Sequence, residues 1–202
     1  MEGWHDGLER GAHKRSELNM IAVVVLLVLA ALFALFVIVQ YNGLVRFRND
    51  TQNAWAQVDV VLRRRYDLIP NLVETVKGYA AHERETLEAV IQARSSAIDA
   101  SAVAEQAGSE NILSGALRRL FALSEAYPAL KADGNFMELQ KEVVRTEGQI
   151  AFARGAYNES VLKFNNKVQV VPSNIIAGMF NFVAGDFFEI EDEATGPVSV
   201  QF

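Results

Sequence analysis

Residues Met20–Val39 read MIAVVVLLVLAALFALFVIV, twenty positions without a charged or strongly polar side chain. Hydrocarbon holds no water to satisfy backbone amides, so such a run persists there only as a helix that closes its own hydrogen bonds. At a rise of about 1.5 Å per residue it covers about 30 Å, the thickness of a bilayer core. A cleaved signal peptide has a shorter apolar core and ends on small residues. Here the run ends Phe36-Val37-Ile38-Val39-Gln40-Tyr41, bulky where cleavage needs small side chains. A soluble helix apolar on every face would need a large core around it. The stretch therefore predicts a single uncleaved membrane helix over residues 20–40, with Gln40, Tyr41 and Asn42 at the membrane–water boundary.

On the N-terminal side, residues 1–19 are polar and include Gly3, Gly7 and Gly11, which predicts a mobile tail. The Lys/Arg balance that sets orientation is nearly even. Arg10, Lys14 and Arg15 precede the helix, and Arg46 and Arg48 follow it. Three against two leans to a cytoplasmic N-terminal tail, with the following domain outside, on the periplasmic face.

On the C-terminal side the membrane helix has no breaker before Pro70, and Leu44, Phe47, Trp55, Val58 and Leu62 step by threes and fours. The expected boundary is at Arg63–Tyr66, with Asp67 capping a second helix and Pro70 in its first turn. That helix would bury Ile69, Leu72, Val76, Tyr79 or Ala80, Leu87, Val90 and Ile98. A break at Gly108-Ser109 would start a third, burying Ile112, Leu113, Leu117, Leu120, Phe121 and Tyr127, with a kink at Tyr127-Pro128. After a turn at Asp133-Gly134-Asn135, Phe136, Leu139, Val143, Ile150, Tyr157, Val161, Phe164 and Val168 form the cleanest stripe, which Pro172 ends. The expected fold is all-α: a transmembrane helix continuing into a long, coiled-coil-like antiparallel four-helix bundle over residues 41–171. Residues 172–202 differ in kind, aromatic and then acidic at Glu191-Asp192-Glu193, ending on Val198-Ser199-Val200-Gln201-Phe202. Two readings stand for this tail: a fold back along the bundle, or docking to a membrane, a neighbouring copy or another protein.

The chain has no cysteine, which excludes disulfides, thiolate catalysis and thiolate-bound metal. Net charge is −6 with no strongly basic region, so no nucleic-acid partner is expected. Beyond Lys167 there is no Lys or Arg, while Asp186, Glu189, Glu191, Asp192 and Glu193 follow. His82-Glu83 begins like a zincin helix, but Thr86 stands where the second histidine would be needed. The paired Glu-x-x-His motifs of a di-iron bundle do not occur in the domain after the span, whose only histidine is His82, nor does a glycine-rich phosphate loop. His82 is expected on a helix surface, and Glu138/Lys141 and Glu142/Arg145 are the i,i+3 pairs of a solvated face. Arg63-Arg64-Arg65 fits a solvated helix end better than an anion site. Ala30 and Ala34 give a small-xxx-small pair through which two membrane helices could approach. No catalytic residue, cofactor or metal is expected.

Arg64-Arg65-Tyr66-Asp67-Leu68-Ile69-Pro70-Asn71-Leu72-Val73-Glu74-Thr75-Val76-Lys77-Gly78-Tyr79, followed by His82-Glu83, Glu85-Thr86-Leu87 and Ala93-Arg94, closely resembles the LemA family of bacterial membrane proteins. Tyr41-Asn42-Gly43-Leu44-Val45, Ala54-Trp55, Tyr157-Asn158, Phe164-Asn165 and Pro172–Phe180 extend the resemblance over about residues 20–202. It implies one N-terminal span, a helical bundle and the bacterial cytoplasmic membrane. It further implies membrane organisation, as in a relative that takes part in magnetosome membrane formation, or company with membrane proteases. It carries over no catalytic residue. The expected function is a non-enzymatic scaffold whose partners are the lipid bilayer, further copies in a homo-oligomer, and other membrane proteins. A signalling adaptor, its bundle shifted by a ligand, is the alternative. Partner contacts are expected at the first hairpin tip, on Arg65, Tyr66, Asp67, Pro70 and Asn71, and on tail residues Phe180, Phe187 and Phe188.

Overall fold

The computed structural model describes residues 3–189, and the side chains of residues 19–189. The acidic triplet and the final alternating residues of the tail lie outside that range. The chain is all-α, with no strand among the described residues. Its helices are α1 (Gly3–Tyr79), α2 (Arg84–Asp99), α3 (Val103–Ala126), α4 (Pro128–Lys131), α5 (Gly134–Gln169) and α6 (Ser173–Met179). They fall into two compact units, divided on α1 between Arg46 and Phe47 and on α5 between Asn166 and Lys167.

The first unit holds the chain up to Arg46 together with Lys167–Phe182. Its apolar segment is long enough to cross a membrane, and its most hydropathic window (mean 3.4) is 0% buried inside the protein. The expected loose tail is instead helical backbone from Gly3. Glycines that each cost about 1 kcal/mol do not stop a helix already nucleated by an apolar run. Lys167 donates from Nζ to Gln40 Oε1 at 2.7 Å, and the Tyr41 ring lies 4.8 Å from that of Phe180. Ser173 closes the end of α5 by donating its hydroxyl to the carbonyls of Lys167 and Val170 at 2.6 and 2.8 Å.

The second unit holds Phe47–Asn166 and the chain from Val183. One stripe of each long helix supplies its core: Val58, Leu62, Ile69, Leu72 and Val76 on α1, Leu87 and Val90 on α2, Leu113, Leu117 and Leu120 on α3, and Phe136, Val143, Ile150, Tyr157 and Val161 on α5. Each such side chain contributes about 1.5–3 kcal/mol through burial. Asp133 starts α5 by accepting the Phe136 amide on Oδ1 at 2.8 Å, and Glu105 starts α3 by accepting the amides of Ser101 and Ala102.

Two boundaries differ from those the sequence suggests. The second break lies at Ala100–Ala102, because Glu105 caps there, and Gly108-Ser109 are inside α3. Ile98 and Ile112 are consequently exposed, while Ala97 and Leu113 face the core. The first break lies at Ala80–Glu83, so Asp67 caps nothing, Arg63–Tyr66 end nothing, and His82 sits in a turn. Pro70 is internal to α1. Lacking an N–H, it leaves the carbonyl of Tyr66 without its helical donor. The Nε–H of Arg94 on α2 takes that place, donating to the Tyr66 carbonyl at 2.8 Å. Arg94→Ala should cost about 1–3 kcal/mol by orphaning this acceptor. The loss should shrink in a Pro70→Ala background, where alanine restores the amide. A double-mutant cycle on urea unfolding measures the coupling, and equal losses in both backgrounds would refute the assignment.

Candidate functional site

Arg65 and Tyr66 occupy the helical phase of Val58, Leu62 and Ile69, and that phase faces the core. Arg65 is 1% exposed and Tyr66 7%. A guanidinium at such a depth needs charged or polar partners on every side. The neighbouring helices supply them. One terminal nitrogen of Arg65 lies 3.2 Å from Glu110 Oε2 on α3 and 3.1 Å from Glu147 Oε2 on α5. The other donates to the Ser114 hydroxyl at 2.8 Å. Tyr66 donates its phenol proton to Glu110 Oε1. Gln106 Nε2 donates to the Tyr66 oxygen at 2.9 Å, to the Ala97 carbonyl at 3.1 Å and to Glu110 Oε1 at 3.3 Å. Only the Nε of Arg65 is without a partner in the cluster.

Burial sets the protonation of this cluster. Glu110, 0% exposed, has its carboxyl raised above the ordinary range by desolvation, with the Tyr66 hydrogen bond and the Arg65 charge pulling the other way. Desolvation, then the hydrogen bond to Glu110, pushes the Tyr66 phenol far above its usual value, so it remains a donor. Glu147 differs, being half exposed at the outer edge. The cluster ties α1, α3 and α5 together through charge-assisted hydrogen bonds that apolar packing could not orient.

Beside it opens a cleft of about 600 Å³, lined by Asp59, Arg63, Tyr66, Asp67, Arg94 and Gln106 among others. Asp59 is paired with Arg63 at 3.0 Å. With its phenol proton committed to Glu110, Tyr66 offers the cleft no nucleophile. Among the described residues no three His, Asp or Glu side chains are grouped as metal ligands.

The sequence-derived candidates thus separate. Arg65 and Tyr66 are core groups inside α1, well before its end at Tyr79, and so are not at the tip of the first hairpin. Asp67, Pro70 and Asn71 lie on its exposed side, with Asp67 at the cleft. In the tail, Phe188 is fully buried and Phe187 is 38% exposed, while Phe180 belongs to the first unit and is half exposed. Sequence reasoning missed Gln106, Glu110 and Ser124, although a signal was present. All three fall in the three-and-four phase of Leu113, Leu117 and Leu120, a polar interruption of an apolar stripe.

Two further partners were also missed. Asn165 and Asn158, two helical turns apart on α5, each clamp one residue of the returning tail. Asn165 accepts the Gly185 amide at 2.8 Å and donates to its carbonyl at 2.9 Å. Asn158 does the same for Phe188, at 2.9 and 3.1 Å. Tyr157 adds a bond to the Asp186 carbonyl at 2.9 Å. The Phe188 ring meets Trp55 edge-on at 5.6 Å, and Trp55 meets Tyr157 at 5.1 Å.

Comparison with known proteins places these features in a wider group. The sequence pattern of the LemA family matches residues 54–202. The chain is 28% identical over 157 residues to Protein LemA of Metamycoplasma hominis, covering 74% of this chain and 70% of that one. It is 24% identical over 204 residues to Magnetosome protein MamQ 2 of Paramagnetospirillum magneticum, covering 88% and 75%. Magnetosome protein MamQ of Magnetospirillum gryphiswaldense is 24% identical over 205 residues, covering 89% and 75%.

Proposed function

The chain belongs to the LemA family, and from that premise we propose that it is a non-enzymatic, single-pass membrane scaffold. On this reading α1 anchors it in a bacterial cytoplasmic membrane through residues 20–40. The helical domain faces outward and contacts further copies or other membrane proteins, membrane proteases among them. The observation that carries the reading is the apolar segment of α1, whose most hydropathic window is 0% buried and has no packing role inside the chain. Two features support it. Among the described residues, the buried cluster of ionisable groups around Arg65 and Glu110 holds helices together. The likeness to two proteins named for the magnetosome fits a role in membrane organisation.

Gentle detergent extraction, crosslinking in the intact membrane and mass spectrometry of the products test the proposal. Assemblies larger than the monomer, or defined membrane-protein neighbours, are expected. Monomers at every concentration with no crosslinked neighbour would sink it. A topology reporter fused after Phe202 decides the side of the membrane.

A further inference from the structure

The short helix α6 is apolar on both of its faces. Ile176 and Ala177 are buried on one side, next to Ser173. Ile175 and Met179, neighbours one helical turn apart on the other side, are 60% and 66% exposed. Val170 and Val171, between the end of α5 and the start of α6, are exposed as well. No charged residue occurs between Lys167 and Asp186. A helix that is hydrophobic all round belongs in a protein core or in lipid. Here the core takes one face only.

Contacts within the first unit fix where the other face stands. Lys167 is tied to Gln40, and its Cε lies 3.5 Å from where a Cβ on Gly43 would be. Ser173 holds the start of α6 to the carbonyls of Lys167 and Val170. Just past its end, the Phe180 and Phe182 rings lie 4.8 and 5.8 Å from that of Tyr41. Both ends of the segment are thus pinned to residues 40–43 of α1, where the apolar run stops. Seven residues of helix are only about 10 Å long, so no part of α6 strays further than that from its Phe180 end. Shielding of α1 begins before the run is over: Val37 is half-buried, while Ile38 and Val39 remain exposed.

We propose that the outer face of α6, with Val170 and Val171, is a lipid-contact surface seated at the headgroup–acyl boundary of the membrane that α1 spans. The inference rests on the reading of α1 as a membrane anchor and deepens it. The bilayer is the occupant because this face continues the uncovered apolar surface of α1, and the lipid that covers one reaches the other. Interfacial segments of this kind sink about 5–10 Å into that boundary. Lys167 bonds to a neutral amide, which leaves its positive charge for lipid phosphates. Tilt and rotation of a single span are set by such anchors, so the second contact fixes how α1 stands in the membrane.

The test exploits the absence of cysteine, which makes each introduced label site unique. In the full chain, Ile175→Cys, Met179→Cys, Leu29→Cys and Phe152→Cys each carry one NBD fluorophore, in vesicles of phosphatidylcholine and phosphatidylglycerol. All four side chains are exposed, so the fold tolerates the label. Lipids with a nitroxide near the headgroup should quench the two α6 labels at least about threefold more than the Phe152 label of the second unit. Lipids with a nitroxide deep in the acyl chain should quench the Leu29 label in the span. Quenching at Leu29, with no more at Ile175 and Met179 than at Phe152, would overturn the inference and leave the anchor standing. No quenching at Leu29 would overturn both. Blue-shifted emission from α6 without quenching, lost as the protein is diluted in lipid, would overturn the inference and assign the face to a second copy.

Discussion

Arg65→Ala is expected to destabilise the helical domain by about 3–5 kcal/mol, because it leaves the buried carboxylate of Glu110 without its cation. The loss should depend on pH in a definite direction. The carboxyl of Glu110 is already raised, first by burial, so the folded state binds its proton more tightly than the unfolded chain does. Such a group favours folding at low pH, and that contribution fades as pH rises through the folded value. Removing the Arg65 charge raises the carboxyl further and makes the ionised form costlier. The defect should accordingly be larger at pH 8 than at pH 5. Glu110→Gln in the same background should recover part of the loss, since the amide keeps the shape without the charge. Urea unfolding of the full chain in detergent, followed by far-ultraviolet circular dichroism, reads the parent chain and both variants. A loss under about 1 kcal/mol, or one flat in pH, would show that the cluster tolerates an unpaired carboxylate.

Phe188→Ala should cost a comparable amount, about 3–5 kcal/mol, for a different reason. Its ring is fully buried against Trp55, and its deletion opens a cavity beneath Trp55 and Tyr157. The same substitution should release the tail. Limited proteolysis would then cut after Phe182 at a lower protease concentration than in the parent chain. Phe187→Ala, one residue earlier and 38% exposed, should stay within about 0.5 kcal/mol of the parent. If the two alanine variants behaved alike, the tail would not be seated as described.

These two expectations mark where the sequence is readable and where it is not. The stripe from Phe136 to Val161 on α5 was legible because its partners are its own periodicity, and the structure buries Phe136, Val143, Ile150, Tyr157 and Val161. The passage of α1 through Pro70 was not legible. A proline inside a helix is tolerated only if another group satisfies the freed carbonyl, and that group is Arg94 on the next helix. The boundary at Asp67 followed from sound local rules, which a contact across 28 residues overrode.

The depth of Arg65 follows the same logic. Charge and neighbours in Arg63-Arg64-Arg65 suggest a solvated helix end, and Arg63 and Arg64 do reach the surface. Arg65 turns inward because Glu110, Ser114 and Glu147 arrive from α3 and α5. No window of sequence around residue 65 contains them. Phe187 and Phe188 are likewise chemically identical neighbours, separated only by which of them Asn158 and Trp55 hold.

By itself the sequence determined the all-α class, the membrane-length apolar helix and the phase of the α5 stripe, because these depend on side-chain character repeated along one segment. Tertiary structure alone decided where α1 ends, which arginine is buried and which phenylalanine seats the tail. Each of those outcomes is set by a polar or aromatic partner supplied from a distant part of the chain, and the energy of such a pair exists only once the helices have met.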